Sequence, residues 1–413
     1  MSHDDKGAPE NGVDPAVSQE AAAGDGIAGA GVSTQMSDDG GAGPEGTATR
    51  SGESISFEQT ATWGGVFPIA ALNALLNIVT LTLWRFWGRT RVRRYMWSTT
   101  LINGTPLTYT GSGAELFRSF IFVMLLIFLP IYGGIFALQL YLPPEQAMMI
   151  LGLAYIPILF AFSWLMGMAI WIARRYRLSR TTWRGIRFGQ AGSANAFSWA
   201  SIGYGFLVAV TMGWFEPVKE MRLSRRLWGE TFFGDKNFDI TQSDEGLAGP
   251  LYPTFALSWF AGVIAYFAAI GVYIAMIGPM LEAGNTAPTM NMEMILKLYL
   301  AMLVFFVLYG FFSLPYHAAL LRRKVAILGL GELRFSLRAD MFSLGWIYLV
   351  NMFILIFTLG LGLPIAQMRV WRYVFRRLEA EGQIDIDAIK QTADRGPKSG
   401  EGLADAFDIG NVI

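Results

Sequence analysis

Asn73-Ala-Leu-Leu-Asn77-Ile-Val-Thr80-Leu-Thr-Leu-Trp84-Arg85-Phe-Trp-Gly-Arg89-Thr-Arg91-Val-Arg93-Arg94-Tyr95 runs from an apolar stretch straight into a basic one. The pattern recurs. At an offset of 278 residues, Phe57, Gly65, Asn73, Thr80, Arg91, Arg94 and Tyr95 meet Phe335, Ser343, Asn351, Thr358, Arg369, Arg372 and Tyr373. At an offset of 131, Phe57 meets Phe188, Thr80 meets Thr211, Arg91 meets Arg222, Arg94 meets Arg225 and Trp97 meets Trp228, while Tyr204 replaces Asn73. Self-similarity of this kind predicts an architecture of three internal repeats, placed at about 55–185, 186–332 and 333–378.

Composition sets the solvent. The chain is 53% hydrophobic and 15% charged, with 30 Phe and 13 Trp among 413 residues, more apolar surface than a soluble domain needs to fill its core. Seven apolar segments are long enough to cross about 30 Å of hydrocarbon as helices. They are Gly64 to Trp84, Leu116 to Leu142, Ala147 to Ala173, Ala194 to Pro217, Phe255 to Leu281, Met292 to Leu314, and Phe342 to Gln367. The expected fold class is therefore an all-α polytopic membrane protein, because an apolar medium leaves no partner for an open strand edge.

The zero net charge conceals a strong division. Residues 1–62 carry 2 Lys+Arg against 11 Asp+Glu, residues 63–378 carry 27 against 13, and residues 379–413 carry 3 against 8. The first 54 residues are Gly, Ala, Ser and acidic residues with almost nothing to bury, which predicts a disordered extension without a secretory signal. From about Glu379 the sequence is expected to form a short amphipathic helix leading into an acidic tail.

Basic clusters follow the first, third, fourth, sixth and seventh apolar segments, and only Leu142 to Glu145 and Glu282 to Asn291 lack Lys and Arg. Seven simple spans would put the clusters flanking the fourth segment on opposite faces, against the preference of positive loops for the cytoplasm. Segments one, four and seven each carry a helix breaker at the same repeat position: Thr80-Leu-Thr82, Thr211-Met-Gly213 and Thr358-Leu-Gly360. Two topologies follow: four full spans plus three re-entrant or broken helices, or seven full spans. Gly-punctuated runs at 100–111, 181–192, 231–242 and 328–337, with an entry at 53–61, predict short cytoplasmic β segments.

The stretch Asn73 to Trp84, with Arg91-Val-Arg-Arg94-Tyr95 and Thr99-Thr100-Leu-Ile-Asn103-Gly104, resembles the YjgN-like bacterial inner-membrane proteins, a family of unknown function. The likeness covers about Ser54 to Leu378 and includes Asn351 to Leu361, Arg372-Tyr373 and Arg184-Gly-Ile-Arg-Phe188. It implies a multi-pass location in the bacterial inner membrane and carries over no catalytic residue. The acidic extension and Tyr204 depart from the repeated pattern.

Two sets of side chains are candidates for function. Asn73, Asn77, Thr80, Tyr204, Thr211, Asn351 and Thr358 place amides, hydroxyls and a phenol at membrane depth, where they could form a translocation site between repeats or hydrogen-bond neighbouring helices. Arg91 and Arg94, Arg222 and Arg225, Arg369 and Arg372 sit three apart on one helix face, suited to phosphate-bearing headgroups or to fixing topology. Lys297, Glu115 and Glu216 lie near segment ends, where they could serve as a proton or ion relay or simply reach water, and His317 is a lone acid-base candidate near the inner interface with no carboxylate or hydroxyl partner in its local sequence. With no Cys and two His, thiol chemistry is excluded and an imidazole-based metal centre is not expected. No cofactor, metal or enzymatic activity is expected. The expected partners are the bilayer and anionic lipids at its cytoplasmic face; nucleic acid is not expected, and protein partners stay unspecified. Function divides between solute or lipid translocation and a non-transporting scaffold or anionic-lipid-binding regulator.

Overall fold

In the computed structural model residues 52–241, 246–282, 292–394, 396–397 and 402–406 are described. The expected extension over 1–54 lies outside them up to residue 51, as do most of the Glu282 to Asn291 connection and the acidic tail from 407.

The three breaker triplets are turns between paired helices: Trp63–Val79 with Arg85–Ser98, Ala194–Val210 with Glu216–Gly229, and Met341–Phe357 with Leu363–Phe375. Each first arm has 17 residues, about 25 Å of helix. Each opens on a side-chain cap: Thr62 accepts from the Gly65 amide, Ser193 from Ala196, and Asp340 from Phe342 and Ser343. These bonds, led by that of the Ser343 hydroxyl, hold the Asp340 carboxyl below the usual carboxylate range.

One turn serves all three hairpins. The hydroxyls of Thr80, Thr211 and Thr358 donate to the carbonyls of Leu76, Leu207 and Ile354 (2.7, 2.7 and 2.6 Å) and accept from the amides of Trp84, Phe215 and Gly362 (2.9, 3.0 and 2.7 Å). Two residues beyond each threonine, the amides of Thr82, Gly213 and Gly360 reach back five residues to the carbonyls of Asn77, Val208 and Leu355 at 2.6, 2.8 and 2.7 Å. Every backbone N–H from Thr80 to Arg85, Thr211 to Glu216 and Thr358 to Leu363 finds an acceptor. The reversal thus leaves none of these amides bare, as a turn in an apolar medium requires. The tips are apolar and outward: Leu81, Met212 and Leu359 are 85%, 78% and 91% exposed.

The open end of each hairpin is closed as well. Thr62 donates its amide to the Tyr95 hydroxyl (3.1 Å), Arg226 donates to the Ala196 carbonyl (3.0 Å), and the Ser343 and Tyr373 hydroxyls lie 2.8 Å apart. A Cβ on Gly65 would collide with the Tyr95 ring, which explains a glycine there. The chain therefore leaves each hairpin beside the point where it entered.

Four other helices are long and apolar enough to cross a membrane: Gly113–Tyr141, Pro144–Ser179, the candidate span Gly249–Met276, and Met292–Ala326. Their exposed faces carry residues such as Leu153, Phe267 and Leu303. Gly113–Tyr141 contains a wider turn at Met124–Phe128 just ahead of Pro130, whose ring removes a donor and crowds the preceding turn. The seven apolar segments thus resolve into four long helices and three of 17 residues, the composition of a membrane protein.

Strands gather at the open ends of the hairpins. They are β1 (Phe57–Gln59), β2 (Thr100–Ile102), β3 (Thr105–Pro106), β4 (Thr108–Tyr109), β5 (Thr181–Trp183), β6 (Ile186–Gln190), β7 (Thr231–Phe233), β8 (Lys236–Asn237), β9 (Asp239–Ile240), β10 (Leu328–Leu330), β11 (Leu333–Leu337) and β12 (Leu378–Glu381). They pair antiparallel in three sheets, β1-β2-β3, β4-β5-β6-β7-β8 and β9-β10-β11-β12. The strands entering and leaving each hairpin pair with each other: β1 with β2, β6 with β7, β11 with β12. Asn103-Gly104 and Arg184-Gly185 make the tight turns between β2 and β3 and between β5 and β6, with φ of +47° and +72°, and +47° and +79°. A shared core beneath them stacks Trp97 on Trp371 at 4.6 Å, each indole also donating to a threonine, Thr181 and Thr100 respectively.

Two expectations are corrected. The fold is mainly helical with twelve short strands among the described residues, so "all-α" holds for the apolar segments only; strands form in each of the runs where short β segments are expected, and β12 is the addition. The segment after Glu379 is not an amphipathic helix: β12 runs to Glu381, Ile384 pairs with Glu53, and Ile386 and Ile389 are buried in the shared core. Ile384-Asp-Ile386-Asp alternates with period two, the pattern of an extended chain, and helical periodicity was the wrong template for it.

Thr82 has φ +70° where the other turns have Gly213 and Gly360 at +97° and +83°. A β-branched side chain is strained there. Thr82→Gly is expected to stabilise the protein by about 1 kcal/mol in detergent unfolding, whereas Gly360→Thr is expected to destabilise it by a similar amount. Unchanged midpoints in both would contradict this account of the turn.

Candidate functional site

The polar residues expected at membrane depth are used inside individual hairpins. Asn73 donates to the Gly88 carbonyl on the returning arm (3.3 Å) and accepts from the Trp84 indole (3.2 Å). A Cβ on Gly88 would lie 3.1 Å from the Asn73 side chain, so glycine permits the close approach of the arms. Asn351 donates to the Ala366 carbonyl (3.3 Å) and accepts from Arg369 (2.7 Å). Tyr204, in the same repeat position, instead meets the Phe215 ring at 6.1 Å and the Arg222 guanidinium at 5.8 Å. Thr80, Thr211 and Thr358 build the turns. Asn77 alone of this set keeps a buried carbonyl oxygen with no hydrogen-bond partner among the described residues. Asn73, Asn351 and Tyr204 thus bridge the arms of their own hairpins, and neither cavity described below is lined by Asn73 or Asn351.

The arginine pairs lie on the returning arms toward the strands, and their surroundings differ. The Arg91 guanidinium stands 5.9 Å from the Trp84 ring, and Arg94 donates to the Gly111 carbonyl at 2.8 Å. Arg372 reaches the Ala61 carbonyl of the first hairpin at 3.4 Å, tying the third hairpin to it. In the second hairpin a pocket of about 450 Å³ opens, lined by Tyr204, Arg222, Arg225, Arg226, Glu230 and Ile240.

The charged residues on its wall are Arg222, Arg225, Arg226 and Glu230. Arg226 is committed to Glu230 (3.1 Å) and to the Ala196 carbonyl, and Glu230 also accepts from the Trp171 indole (2.9 Å). Arg222 and Arg225 share that wall with Arg226 and Glu230, and the Arg222 guanidinium stands 5.8 Å from the Tyr204 ring. Two guanidiniums next to a ring suit a phosphate-bearing group whose organic part can rest on the aromatic face.

Arg226 belongs to the basic cluster after the fourth apolar segment, whereas Glu230 carries no reading from the sequence; their spacing of four is the available signal. Trp171 and Arg174 were also missed. Arg174 stacks 4.3 Å from Trp228 and donates to Thr231, but it comes from a different long helix, and no local pattern reports that approach. Among the described residues no group of three His, Cys, Asp or Glu could hold a metal ion.

Residues 54–406 match the family model of bacterial proteins of unknown function designated DUF898. The chain belongs to this family, which is the YjgN-like family its motifs resemble. No curated protein matches the chain. No solved structure matches it either.

If the two asparagines clamp their hairpins, Asn73→Leu and Asn351→Leu should each cost about 1 kcal/mol in detergent unfolding, the latter more because it strands the Arg369 guanidinium. Midpoints equal to wild type would show that the amides do not hold the arms together.

Proposed function

We infer that this member of the DUF898 family is a multi-pass protein of the bacterial inner membrane whose three repeats each insert a re-entrant hairpin from the cytoplasmic side. Four long helices span the bilayer, and the strands and basic clusters share the cytoplasmic face. This arrangement gives every Arg-rich connection a cytoplasmic home. The closed open ends of the hairpins support it, since a helix pair that leaves beside its entry point does not cross the membrane.

On this topology the protein acts as a non-transporting, non-enzymatic binder of anionic phospholipid headgroups, a membrane scaffold whose second hairpin presents the pocket of Arg222, Arg225 and Tyr204. The observation that carries this reading is the wall of that pocket, which brings Arg222 and Arg225 together with the Tyr204 ring. Translocation finds less support, because Asn73, Asn351 and the three turn threonines already spend their hydrogen bonds within the hairpins; the buried, unpartnered oxygen of Asn77 is the observation that favours it.

The test is a titration of the full-length protein in phosphatidylcholine nanodiscs with short-chain phosphatidylglycerol. Wild type is expected to bind saturably and more weakly as salt rises, and the double variant Arg222→Gln, Arg225→Gln at least tenfold more weakly still. Equal affinity in the folded variant would overturn the assignment.

A further inference from the structure

A second cavity, of about 330 Å³, opens between the returning arm of the second hairpin, the end of Met292–Ala326 and the first arm of the third hairpin. Its polar wall consists of Glu216, Glu220, Tyr316, His317, Lys324 and Tyr348. Glu216 and Glu220 are four residues apart on one helix face. Each is paired with a lysine: Lys219 with Glu216 at 2.8 Å, Lys324 with Glu220 at 2.6 Å. A carboxylate offers about four lone-pair sites, so both keep acceptor capacity after these pairings.

Tyr316 is the discordant member. Tyr316 lines the cavity and is 6% exposed, and its hydroxyl is buried with no hydrogen-bond partner among the described residues. Tyrosine hydroxyls that lose water ordinarily gain a partner, and leaving one unmade is costly. Glu216, Glu220 and the faces of Tyr316 and Tyr348 attract an ammonium ion. The Lys324 ammonium and the Tyr316 O–H supply donors for an oxyanion. A purely anionic headgroup would meet the carboxylate pair, and a bare metal cation would leave both donors idle. The space equals about eleven waters at their liquid share, room for a small zwitterion.

We propose that this cavity binds a phosphoethanolamine group, its ammonium on Glu216 and Glu220 and its phosphate on Lys324 and the Tyr316 hydroxyl. The group is the headgroup of a lipid or the free compound. The site is separate from the arginine pocket, so the failure of either assignment leaves the other standing.

The full-length protein in detergent is titrated with dihexanoyl phosphatidylethanolamine, with its phosphatidylcholine counterpart, and with free phosphoethanolamine, following thermal stabilisation. Saturable binding of phosphatidylethanolamine is expected, at least tenfold tighter than of phosphatidylcholine, whose quaternary ammonium cannot donate to the carboxylates. Binding by the lipid alone identifies a bilayer source; binding by both identifies the headgroup as sufficient. Tyr316→Phe is expected to weaken this binding at least tenfold while leaving the ligand-free midpoint unchanged or raised, since it removes only an unpartnered hydroxyl. Arg222→Gln with Arg225→Gln should leave it intact. Absence of saturable binding, equal affinity in Tyr316→Phe, or a lowered ligand-free midpoint in that variant would overturn the proposal.

Discussion

A threonine hydroxyl that bonds in both directions, to the carbonyl four residues back and from the amide four residues ahead, is what the rest of this structure depends on. A helix reversing in an apolar surrounding exposes amides whose lack of a partner costs several kcal/mol apiece. In each hairpin six consecutive amides are satisfied, with the threonine oxygen taking the one that backbone carbonyls do not reach. Once the turn is self-sufficient, the second arm can pack along the first, and Asn73 or Asn351 can bridge them. The strands then meet because the arms end together, so β1 pairs with β2, β6 with β7 and β11 with β12.

This geometry moves function away from the hairpin interiors. Apart from Asn77, the side chains that looked available at membrane depth are structural clamps, whereas the two cavities open along the returning arm of the second hairpin. The two cavities there differ in sign. One is dominated by Arg222 and Arg225. The other sets Glu216 and Glu220 against Lys324, with a silent Tyr316 hydroxyl between them. On the two proposed assignments, the protein distinguishes headgroups by charge distribution as well as by net charge.

Much of the helical part was legible because its causes are local. The run of apolar residues, the break at Thr80-Leu-Thr82 and its counterparts, and Asn103-Gly104 with its φ demands all announce themselves within a few residues. Long-range partners were not legible. Nothing near Asn351 says that its amide oxygen would take Arg369, since Asn73 in the matching position takes Trp84 instead. The Glu220 to Lys324 pair and the approach of Arg174 to Trp228 join helices far apart in the chain. The extended C-terminal segment is illegible for a different reason: Ile384, Ile386 and Ile389 fit more than one period, and burial against a core built from distant segments decides between them.

The central claim is that a hairpin enters and leaves on one side of the bilayer, and the absence of native cysteine makes it directly measurable. Single-cysteine variants Arg184→Cys, on the β5–β6 turn, and Lys236→Cys, on β8, both exposed and on either side of the second hairpin, are reacted with a membrane-impermeant maleimide in right-side-out and inverted inner-membrane vesicles. Both are predicted to label only in inverted vesicles, with Met212→Cys at the tip protected in each. Labelling of Arg184→Cys and Lys236→Cys from opposite sides would make the pair of helices a crossing and contradict the account.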